Sequence, residues 1–174
     1  MKRHYDGLYM KALLEKVRKI KRKDGVEISL GADIIVGFPG ETEENFQETF
    51  DLIKTQRITK VHAFPFSPHK YGESVPAGFY KDQIPEKVKD ERMKKILTLA
   101  KEVRNSFIDN QIGKSFQALI EVAKDGKWKG WTENYIEVTD ENFEVKTGEI
   151  KKNEIVSGIL LKRIEEKDGN EFGM

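Results

Sequence analysis

The feature that most constrains this chain is a short apolar run that ends between two glycines. Ile34, Ile35 and Val36 are consecutive β-branched side chains, and such a run predicts a strand that is apolar and buried on both faces, as parallel strands under helices are. Gly37 and Gly40 flank the Phe-Pro pair that follows, so the strand is expected to end in a tight turn where backbone can approach a ligand closely. In α/β folds, ligands bind at this carboxyl end of the strands.

A helix is predicted directly after the turn. Thr42 is a favourable N-cap, and Glu43 and Glu44 fall in the first helical turn, where the helix dipole favours acidic side chains. The side chains that share the predicted inner face are Phe46, Thr49, Phe50 and Ile53. This strand–turn–helix unit has two interpretations, a ligand-binding turn or an ordinary turn in which the glycines serve geometry. The glycine spacing alone does not separate them.

Residues 1–66 extend this unit to the order α-β-α-β. Hydrophobic periodicity predicts helices at 6–22 and 43–56 and strands at 28–36 and 61–66. Strands joined by a crossover helix pair in parallel, and two strands form too small a sheet to be stable alone. Exposed apolar sheet edges are therefore expected, covered by a second copy of the chain as a homodimer or by further sequence.

The first predicted helix ends in a run of basic residues. Of the five residues from Lys19 to Lys23, four are Lys or Arg, and cations at a helix C-terminus complement the negative end of the dipole. We interpret this run as a solvated helix end. The alternative is that it binds RNA.

An irregular loop at 67–84 and a long helix at 85–110 lead to the C-terminal part. The alternating charges at 86–92 in this helix are interpreted as a solvated face. Beyond Gly113, short alternating segments separated by turn signals predict a small antiparallel β-barrel of OB-like type. The predicted strands are 116–122, 127–132, 135–138, 149–150 and 155–164. The polar tail at 166–174 is expected to be disordered.

The absence of cysteine excludes several kinds of chemistry. None of the 174 residues is Cys, so disulfides, a thiol nucleophile and an iron–sulfur cluster held by thiolates of this chain are excluded. The three histidines are too scattered to predict a metal site, and no Ser-His-Asp or paired-carboxylate pattern identifies a catalytic residue. The net charge of +1 predicts neither nucleic-acid nor membrane binding. No apolar run approaches the ~20 residues that span a bilayer and no secretory signal opens the chain, so a cytoplasmic location without a membrane partner is expected.

Three blocks of sequence resemble the radical S-adenosylmethionine (SAM) methylthiotransferases, which add a methylthio group to tRNA adenosines or to a ribosomal protein. The blocks are Met-Lys-Arg-His-Tyr at 1–5, Asp-Ile-Ile-Val-Gly-Phe-Pro-Gly-Glu-Thr-Glu-Glu-Asn-Phe at 33–46 and His-Ala-Phe-Pro-Phe-Ser-Pro at 62–68. Residues 113–148 resemble the family's C-terminal TRAM domain, an RNA-binding β-barrel. The resemblance implies an α/β part followed by an all-β part, the C-terminal portion of a radical SAM (βα) barrel and then an OB-like barrel. The implied domains are a partial barrel at 1–84, a connecting helix at 85–111, a TRAM-like barrel at 112–165 and the tail at 166–174.

The resemblance also implies cofactor contacts at the glycine turn. The family's matching strand packs against the adenine of SAM, which implies cofactor-binding roles for Ile35, Gly37, Phe38 and Gly40. The family holds two [4Fe–4S] clusters on cysteines that this chain lacks, so the chain resembles only the C-terminal part of the enzyme. We expect it to be catalytically incompetent alone, with neither SAM nor cluster bound and with the missing N-terminal half as a partner.

RNA binding by the C-terminal barrel is a further implication of the resemblance. Lysine and arginine neutralise phosphate, and aromatic rings stack on unpaired bases. The residues that offer this chemistry are Lys114, Lys127, Trp128, Lys129, Trp131 and Tyr135. Residues 113–165 contain nine basic and ten acidic side chains, so binding is expected to depend on a local patch. Trp128 and Trp131 are three residues apart and face opposite sides of a regular strand, so at least one is expected in the core.

Two motifs resemble one branch of the family. His-x-Phe-Pro at 62–65 and Thr-x-Asn-Tyr at 132–135 resemble the enzymes that make the 2-methylthio derivative of N6-threonylcarbamoyladenosine next to the tRNA anticodon. We therefore expect the C-terminal part of such an enzyme, with the anticodon stem-loop of tRNA as partner. The alternatives are a non-enzymatic RNA-binding module and a methylthiotransferase that acts on a ribosomal protein.

Overall fold

The computed structural model describes residues 6–68 and 76–164. Its elements in chain order are α1 Gly7–Lys19, β1 Gly31–Val36, α2 Glu43–Thr55, β2 Lys60–Pro65, a 3₁₀ turn Pro76–Phe79, α3 Glu86–Asp109, β3 Ser115–Lys124, β4 Lys127–Thr132, β5 Glu137–Thr139, β6 Phe143–Thr147 and β7 Ile155–Leu160. This order agrees with the predicted class, an α/β part followed by an all-β part. The predicted block at 1–5, part of the predicted loop at 67–84 and the predicted tail at 166–174 lie outside the described residues.

The described chain forms two compact units. The first, which we call the α/β unit, contains residues 6–20, 30–68 and 76–104, and the second, the β unit, contains residues 21–29 and 105–164. Within the described ranges, no helix is long and apolar enough to cross a membrane.

Strands β1 and β2 pair in parallel, as predicted for strands joined by a crossover helix. One face of this small sheet packs against α2 and α3 in a core of Val36, Phe46, Ile53, Ile58, Val61, Ala63, Ile96, Leu99, Ala100 and Val103. On the other face, Ile35 and Phe64 lie opposite each other and are 39% and 41% exposed. The prediction that the strand is buried on both faces is therefore wrong for the described part of the chain, because the helices described there cover only one face.

The first two helices begin at capping residues. Asn45 N–H donates to Thr42 Oγ1 and Thr42 N–H donates to Asn45 Oδ1, each at 3.2 Å, which forms the capping box of α2. Asp6 caps α1, because its Oδ1 accepts a hydrogen bond from Tyr9 N–H at 2.8 Å. Both predicted helices are confirmed.

Strand β1 begins at Gly31 rather than at the predicted residue 28. The segment before it, residues 21–29, belongs to the β unit. There Val26 is buried in the core, and the backbone oxygen of Glu27 accepts a hydrogen bond from Asn134 Nδ2 at 3.3 Å. The local pattern overextends the strand because it cannot show that these residues pack on a distant part of the chain.

The β unit is one antiparallel sheet with the strand order β5-β4-β3-β7-β6, curled into a half-barrel. Among the described strands, β5 and β6 are its two edges. Its buried core contains Val26, Phe107, Ile108, Phe116, Ala118, Ile120, Trp128, Ile136, Val138, Phe143, Val156 and Leu160. The predicted turn before residue 127 is confirmed, because Asp125 and Gly126 have φ angles of 52° and 78°, which is typical of a type I′ hairpin.

The predicted strand at 149–150 is wrong, and its place in the sheet is taken by β6. Phe143 in β6 is 3% exposed, and its ring packs edge-on against Trp128 with centroids 6.2 Å apart. Gly158 of β7 makes room for this ring, because a Cβ there would lie 2.4 Å from it. The available sequence signal was the apolar alternation of Phe143 and Val145.

Candidate cofactor turn and nucleic-acid interface

Gly37 and Gly40 shape the turn between β1 and α2. Their φ angles are 74° and 81°, in the left-handed region that side chains disfavour. Gly37 N–H donates to Glu41 Oε2 at 2.9 Å, and Gly40 N–H donates to the backbone oxygen of Asp82 at 2.8 Å. Both glycine donors of the predicted cofactor turn are thus engaged by the chain itself.

Lys89 of α3 packs directly on the Cα of Gly37. A Cβ at Gly37 would lie 2.2 Å from Lys89 Cγ and 2.7 Å from its Cδ. Lys89 is 3% exposed, and its ammonium donates to the backbone oxygen of Phe66 at 2.9 Å and pairs with Glu86. The absence of a side chain at Gly37 therefore serves the close packing of α3, in agreement with the geometric interpretation of the turn.

A buried ionic cluster holds the same turn to α3. Arg92 Nη1 donates to Glu41 Oε2 at 2.6 Å, and Nη2 donates to Glu43 Oε2 at 3.1 Å. The side chains of Arg92 and Glu41 are 7% and 13% exposed, and the Arg92 guanidinium lies 5.3 Å from the Phe46 ring centroid. Because Glu41 also accepts from Gly37 N–H, one carboxylate joins the glycine turn to α3.

The interpretation of residues 86–92 as a solvated face is wrong for two of its cations. Lys89 and Arg92 are both buried, and both contact the segment that follows β1. By sequence position Arg92 belongs to the apolar stripe of the helix, because it precedes the buried Ile96 by four residues.

Of the four predicted cofactor residues, Ile35 and Phe38 offer apolar surface. Ile35 lies on the open face of the sheet. Phe38 is half-buried and packs edge-on against Phe66 and Tyr80, with centroids 5.2 Å and 6.5 Å away. Apolar side chains of this kind fit the face of an adenine ring. The residues do not fit an iron–sulfur cluster, because the chain has no Cys and its described part has no group of three His, Asp or Glu that could hold a metal.

The two tryptophans of β4 face opposite sides, as predicted. Trp128 is 6% exposed in the core of the β unit, so it cannot stack on a base and does not belong with the predicted RNA contacts. Trp131 is on the outer face, where its Nε1 donates to Glu121 Oε2 at 2.9 Å. The Lys129 ammonium lies 5.5 Å from the Trp131 ring centroid and pairs with Glu137 at 2.7 Å. Two carboxylates therefore offset the charge of this Lys–Trp pair.

The other predicted RNA residues lie at opposite ends of the sheet. Lys127 is at the β3–β4 hairpin, whereas Lys114 precedes the other end of β3. Strand β3 has ten residues, so these ends are about 30 Å apart at ~3.3 Å per residue. Tyr135 is at the Lys114 end, because Thr132 is opposite Ala118 in the first half of β3. The structure therefore brings Lys114 and Tyr135 to one end and leaves Lys127 at the other.

Tyr135 has an unusual backbone conformation between β4 and β5. Its φ is 60° and its side chain is 60% exposed, and a left-handed backbone is rare for an aromatic residue. The buried Thr132 fixes this turn, because its Oγ1 accepts from Ile136 N–H at 2.9 Å and donates to Asn134 Oδ1 at 2.7 Å. The turn also delays β5, which begins at Glu137 rather than at the predicted residue 135.

Residues 21–29 add polar groups to the β unit that the sequence did not assign to it. Arg22 pairs with Asp24, and its Nη2 lies 3.9 Å from Glu133 Oε1. The buried Gln111 donates through Nε2 to Glu27 Oε2 at 2.8 Å. The basic run therefore only partly forms a helix end, because α1 stops before residue 21 and the rest lies on the β unit.

Acid titration checks the Arg22–Asp24 pair. Hydrogen bonds from the Arg22 side chain and then from Val26 N–H lower the pKa of Asp24 from 3.8 to about 2. A carboxyl with a lowered folded-state pKa stabilises the fold above its unfolded pKa and loses this contribution as pH falls through the folded value. We therefore expect a small stabilising effect that is complete above about pH 4 and lost towards pH 2. Nuclear magnetic resonance titration of the Asp24 carboxyl measures its pKa, and Asp24→Asn is expected to remove the pH-dependent stabilisation. A pKa near the usual value of an aspartate would contradict the pairing with Arg22.

Sequence comparison identifies relatives that cover most of the chain, although no protein-family model matches it. The chain is 38% identical over 126 residues to a tRNA-2-methylthio-N(6)-dimethylallyladenosine synthase of Aquifex aeolicus. The aligned region covers 72% of the chain and 28% of the relative. It is 31% identical over 162 residues to the threonylcarbamoyladenosine tRNA methylthiotransferase MtaB of Bacillus subtilis, which covers 90% of the chain and 34% of the relative. A synthase of the first kind from Pseudothermotoga lettingae is 30% identical and covers 97% of the chain and 38% of the relative.

The chain thus spans 28–38% of the length of these relatives. Relatives of the two kinds are about equally similar to it, because the Aquifex aeolicus synthase is 38% identical and the threonylcarbamoyladenosine tRNA methylthiotransferase MtaB of the same organism is 36% identical. The similarity therefore identifies a family of tRNA-modifying enzymes and does not distinguish between the two modified adenosines. On this similarity, which covers most of its length, the chain belongs to the family of MiaB-like methylthiotransferases.

Proposed function

We propose that the chain is the C-terminal part of a tRNA methylthiotransferase that adds a 2-methylthio group to N6-threonylcarbamoyladenosine next to the anticodon. The chain would supply part of a radical SAM barrel at 1–84, a connecting helix at 85–111 and a TRAM-like RNA-binding barrel at 112–165. Both [4Fe–4S] clusters belong to the N-terminal part of the enzyme, so the chain alone does not catalyse the reaction. The expected compartment is the cytoplasm.

The main support for this proposal is the β1–β2 sheet, which packs against helices on one face and is exposed on the other. Parallel strands in α/β proteins are buried on both faces, and in a (βα) barrel the face turned away from the helices points to the interior. Here that face carries Ile35 and Phe64, and His62 Nδ1 lies on it 3.7 Å from Asp33 Oδ1. Two parallel strands with one open apolar face are an incomplete fold. Further barrel strands would pair with their edges and enclose this face.

Ile35 and Phe38 are the residues that would hold SAM. Ile35 lies near the carboxyl end of β1, the end at which barrel enzymes bind their ligands, and Phe38 follows in the turn. Gly37 and Gly40 give the turn its shape, while their N–H groups remain bonded within the chain. SAM, when bound, supplies the radical-generating chemistry. This chain contributes apolar packing and exclusion of water, and no residue in it is assigned a catalytic role.

Two observations support tRNA as the substrate. The relatives are named as enzymes that modify tRNA, and the motifs at 62–65 and 132–135 resemble the branch that acts on N6-threonylcarbamoyladenosine. A non-enzymatic RNA-binding module would have no use for an open face on a parallel sheet. A ribosomal-protein substrate would leave unexplained the exposed aromatic ring of Tyr135 in the β4–β5 turn, which suits stacking on an unpaired base.

Binding of the full chain to anticodon stem-loop RNA tests the proposed substrate. We expect salt-sensitive binding, because each neutralised phosphate contributes about 0.7–0.9 to the slope of log K against log salt. We also expect tighter binding to a stem-loop with N6-threonylcarbamoyladenosine than to one with N6-dimethylallyladenosine. Fluorescence anisotropy at two salt concentrations measures both. Equal affinity for the two stem-loops would contradict the branch, and binding to a ribosomal protein instead of RNA would contradict the substrate class.

A further inference from the structure

One end of the β unit combines an exposed aromatic ring with cations from a distant stretch of sequence. We call it the end surface, and its residues are Lys21, Lys23, Lys114 and Tyr135. Residues 21–29 are anchored there, because Val26 is buried in the core and the Glu27 backbone oxygen accepts a hydrogen bond from Asn134 Nδ2 at 3.3 Å. Asn134 immediately precedes Tyr135 in the β4–β5 turn. The fold therefore places the basic run beside the exposed ring.

The acidic groups of this region have donors within the unit. Asp24 pairs with Arg22, and Glu27 accepts a hydrogen bond from the buried Gln111 at 2.8 Å. Glu133 accepts from a backbone N–H of β3 at 2.8 Å and lies near the Arg22 guanidinium. These carboxylates therefore hold the segment in place.

The lysines of the end surface are exposed and available to bind a ligand. Lys21 and Lys23 are exposed, and neither has an ion-pair partner among residues 6–68 and 76–164. Lys114 is also exposed, and its Nζ lies 3.3 Å from the uncharged Oε1 of Gln111. The Lys–Trp pair of β4 differs, because two glutamates contact it. The end surface, rather than the Lys129–Trp131 pair, therefore has positive charge available to bind phosphate.

We propose that the end surface binds an unpaired stretch of the tRNA anticodon stem-loop, with one base stacked on Tyr135 and neighbouring phosphates at Lys21 and Lys23. This inference rests on the proposed function and extends its RNA interface to a segment that lies outside the C-terminal barrel in sequence. Stacking on an exposed ring requires an unstacked base, so the ligand is single-stranded. The hydrogen-bonded turn presents the ring in a fixed position, which lowers the ordering cost on binding.

Charge removal at the two ends of the sheet tests the proposed location. In the full chain, Lys21→Ala/Lys23→Ala is expected to weaken binding of an unmodified anticodon stem-loop several-fold and to lower the salt slope by about 1.4, or ~0.7 for each single-strand phosphate contact. The control is Lys124→Ala at the β3–β4 hairpin, which removes one exposed charge about 30 Å away and is compared with Lys21→Ala alone. This control is expected to leave both quantities unchanged. Fluorescence anisotropy across a salt series measures affinity and slope together.

Substitution of Tyr135 tests the stacking contact. Tyr135→Asn removes the ring but suits a φ of 60°, and we expect binding to weaken by about 5- to 100-fold. Tyr135→Phe keeps the ring and is expected to bind like the wild-type chain, and thermal unfolding of both variants checks that the turn is intact.

Each contrary outcome has its own meaning. If the wild-type chain binds RNA while the lysine pair and Tyr135→Asn leave binding unchanged, or if the hairpin control loses as much, the end surface is overturned and the proposed function stands. If the wild-type chain does not bind the stem-loop even at low salt, both are overturned.

Discussion

Replacing Gly37 with alanine is expected to destabilise the α/β unit by about 2–4 kcal/mol, from backbone strain at positive φ and overpacking together. The φ of 74° disfavours any side chain, and the new Cβ would lie 2.2 Å from Lys89 Cγ, whose buried stem cannot move into solvent. Urea unfolding followed by the helical circular dichroism signal measures the loss. Tryptophan fluorescence would not report unfolding of the α/β unit, because both tryptophans are in β4 of the β unit.

Two controls separate the causes of this loss. Gly40→Ala meets the same kind of backbone strain at a φ of 81°, but nothing lies within 4 Å of its Cβ. We therefore expect only about 1–2 kcal/mol of destabilisation there. Adding Lys89→Ala to Gly37→Ala removes the atoms that clash, so the double variant should be more stable than the sum of the single effects implies. A Gly37→Ala loss no larger than that of Gly40→Ala would show that Lys89 does not restrict this site.

Arg92→Met is expected to cost about 3–5 kcal/mol, because it leaves the Glu41 carboxylate buried without its counter-charge. The pair is almost inaccessible to solvent, with the two side chains 7% and 13% exposed, so screening by water does little to reduce this cost. The substitution also releases Glu43 and the contact with the Phe46 ring. The same urea unfolding experiment measures the effect.

A neighbouring lysine provides the matched control for Arg92. Lys95 also pairs with Glu43 and lies over the Phe46 ring, but it is 59% exposed. We therefore expect Lys95→Met to change stability by only about 0–1 kcal/mol. Combining Arg92→Met with Glu41→Gln removes the stranded charge while Gln can still accept from Gly37 N–H, so the double variant should lose less than Arg92→Met alone. Equal losses for Lys95→Met and Arg92→Met would refute a buried ion pair.

Sequence alone determined the features that depend on near neighbours in the chain. Thr42 was predicted as an N-cap because its hydroxyl needs only the N–H groups of the next turn, and the structure supplies Asn45 N–H. Asp125 and Gly126 were predicted as a turn because both adopt positive φ more readily than most residues. Spacing along β4 required at least one of its tryptophans to face the core, since side chains alternate in any regular strand. The structure identifies it as Trp128.

Features that depend on distant segments were decided only by the tertiary structure. Ile35 is a side chain typical of a buried strand, but it is 39% exposed because no element among the described residues packs on that face. Lysine is usually exposed to solvent, but Lys89 is buried because the turn at Gly37 lacks a side chain and leaves room for it. The sequence assigned the start of segment 21–29 to a basic helix end and its last two residues to a strand, yet the segment lies on the β unit through Val26 and Glu27. Periodicity records which side chains share a face of one element. Burial depends on which other element covers that face, and this is set by contacts between residues far apart in the sequence.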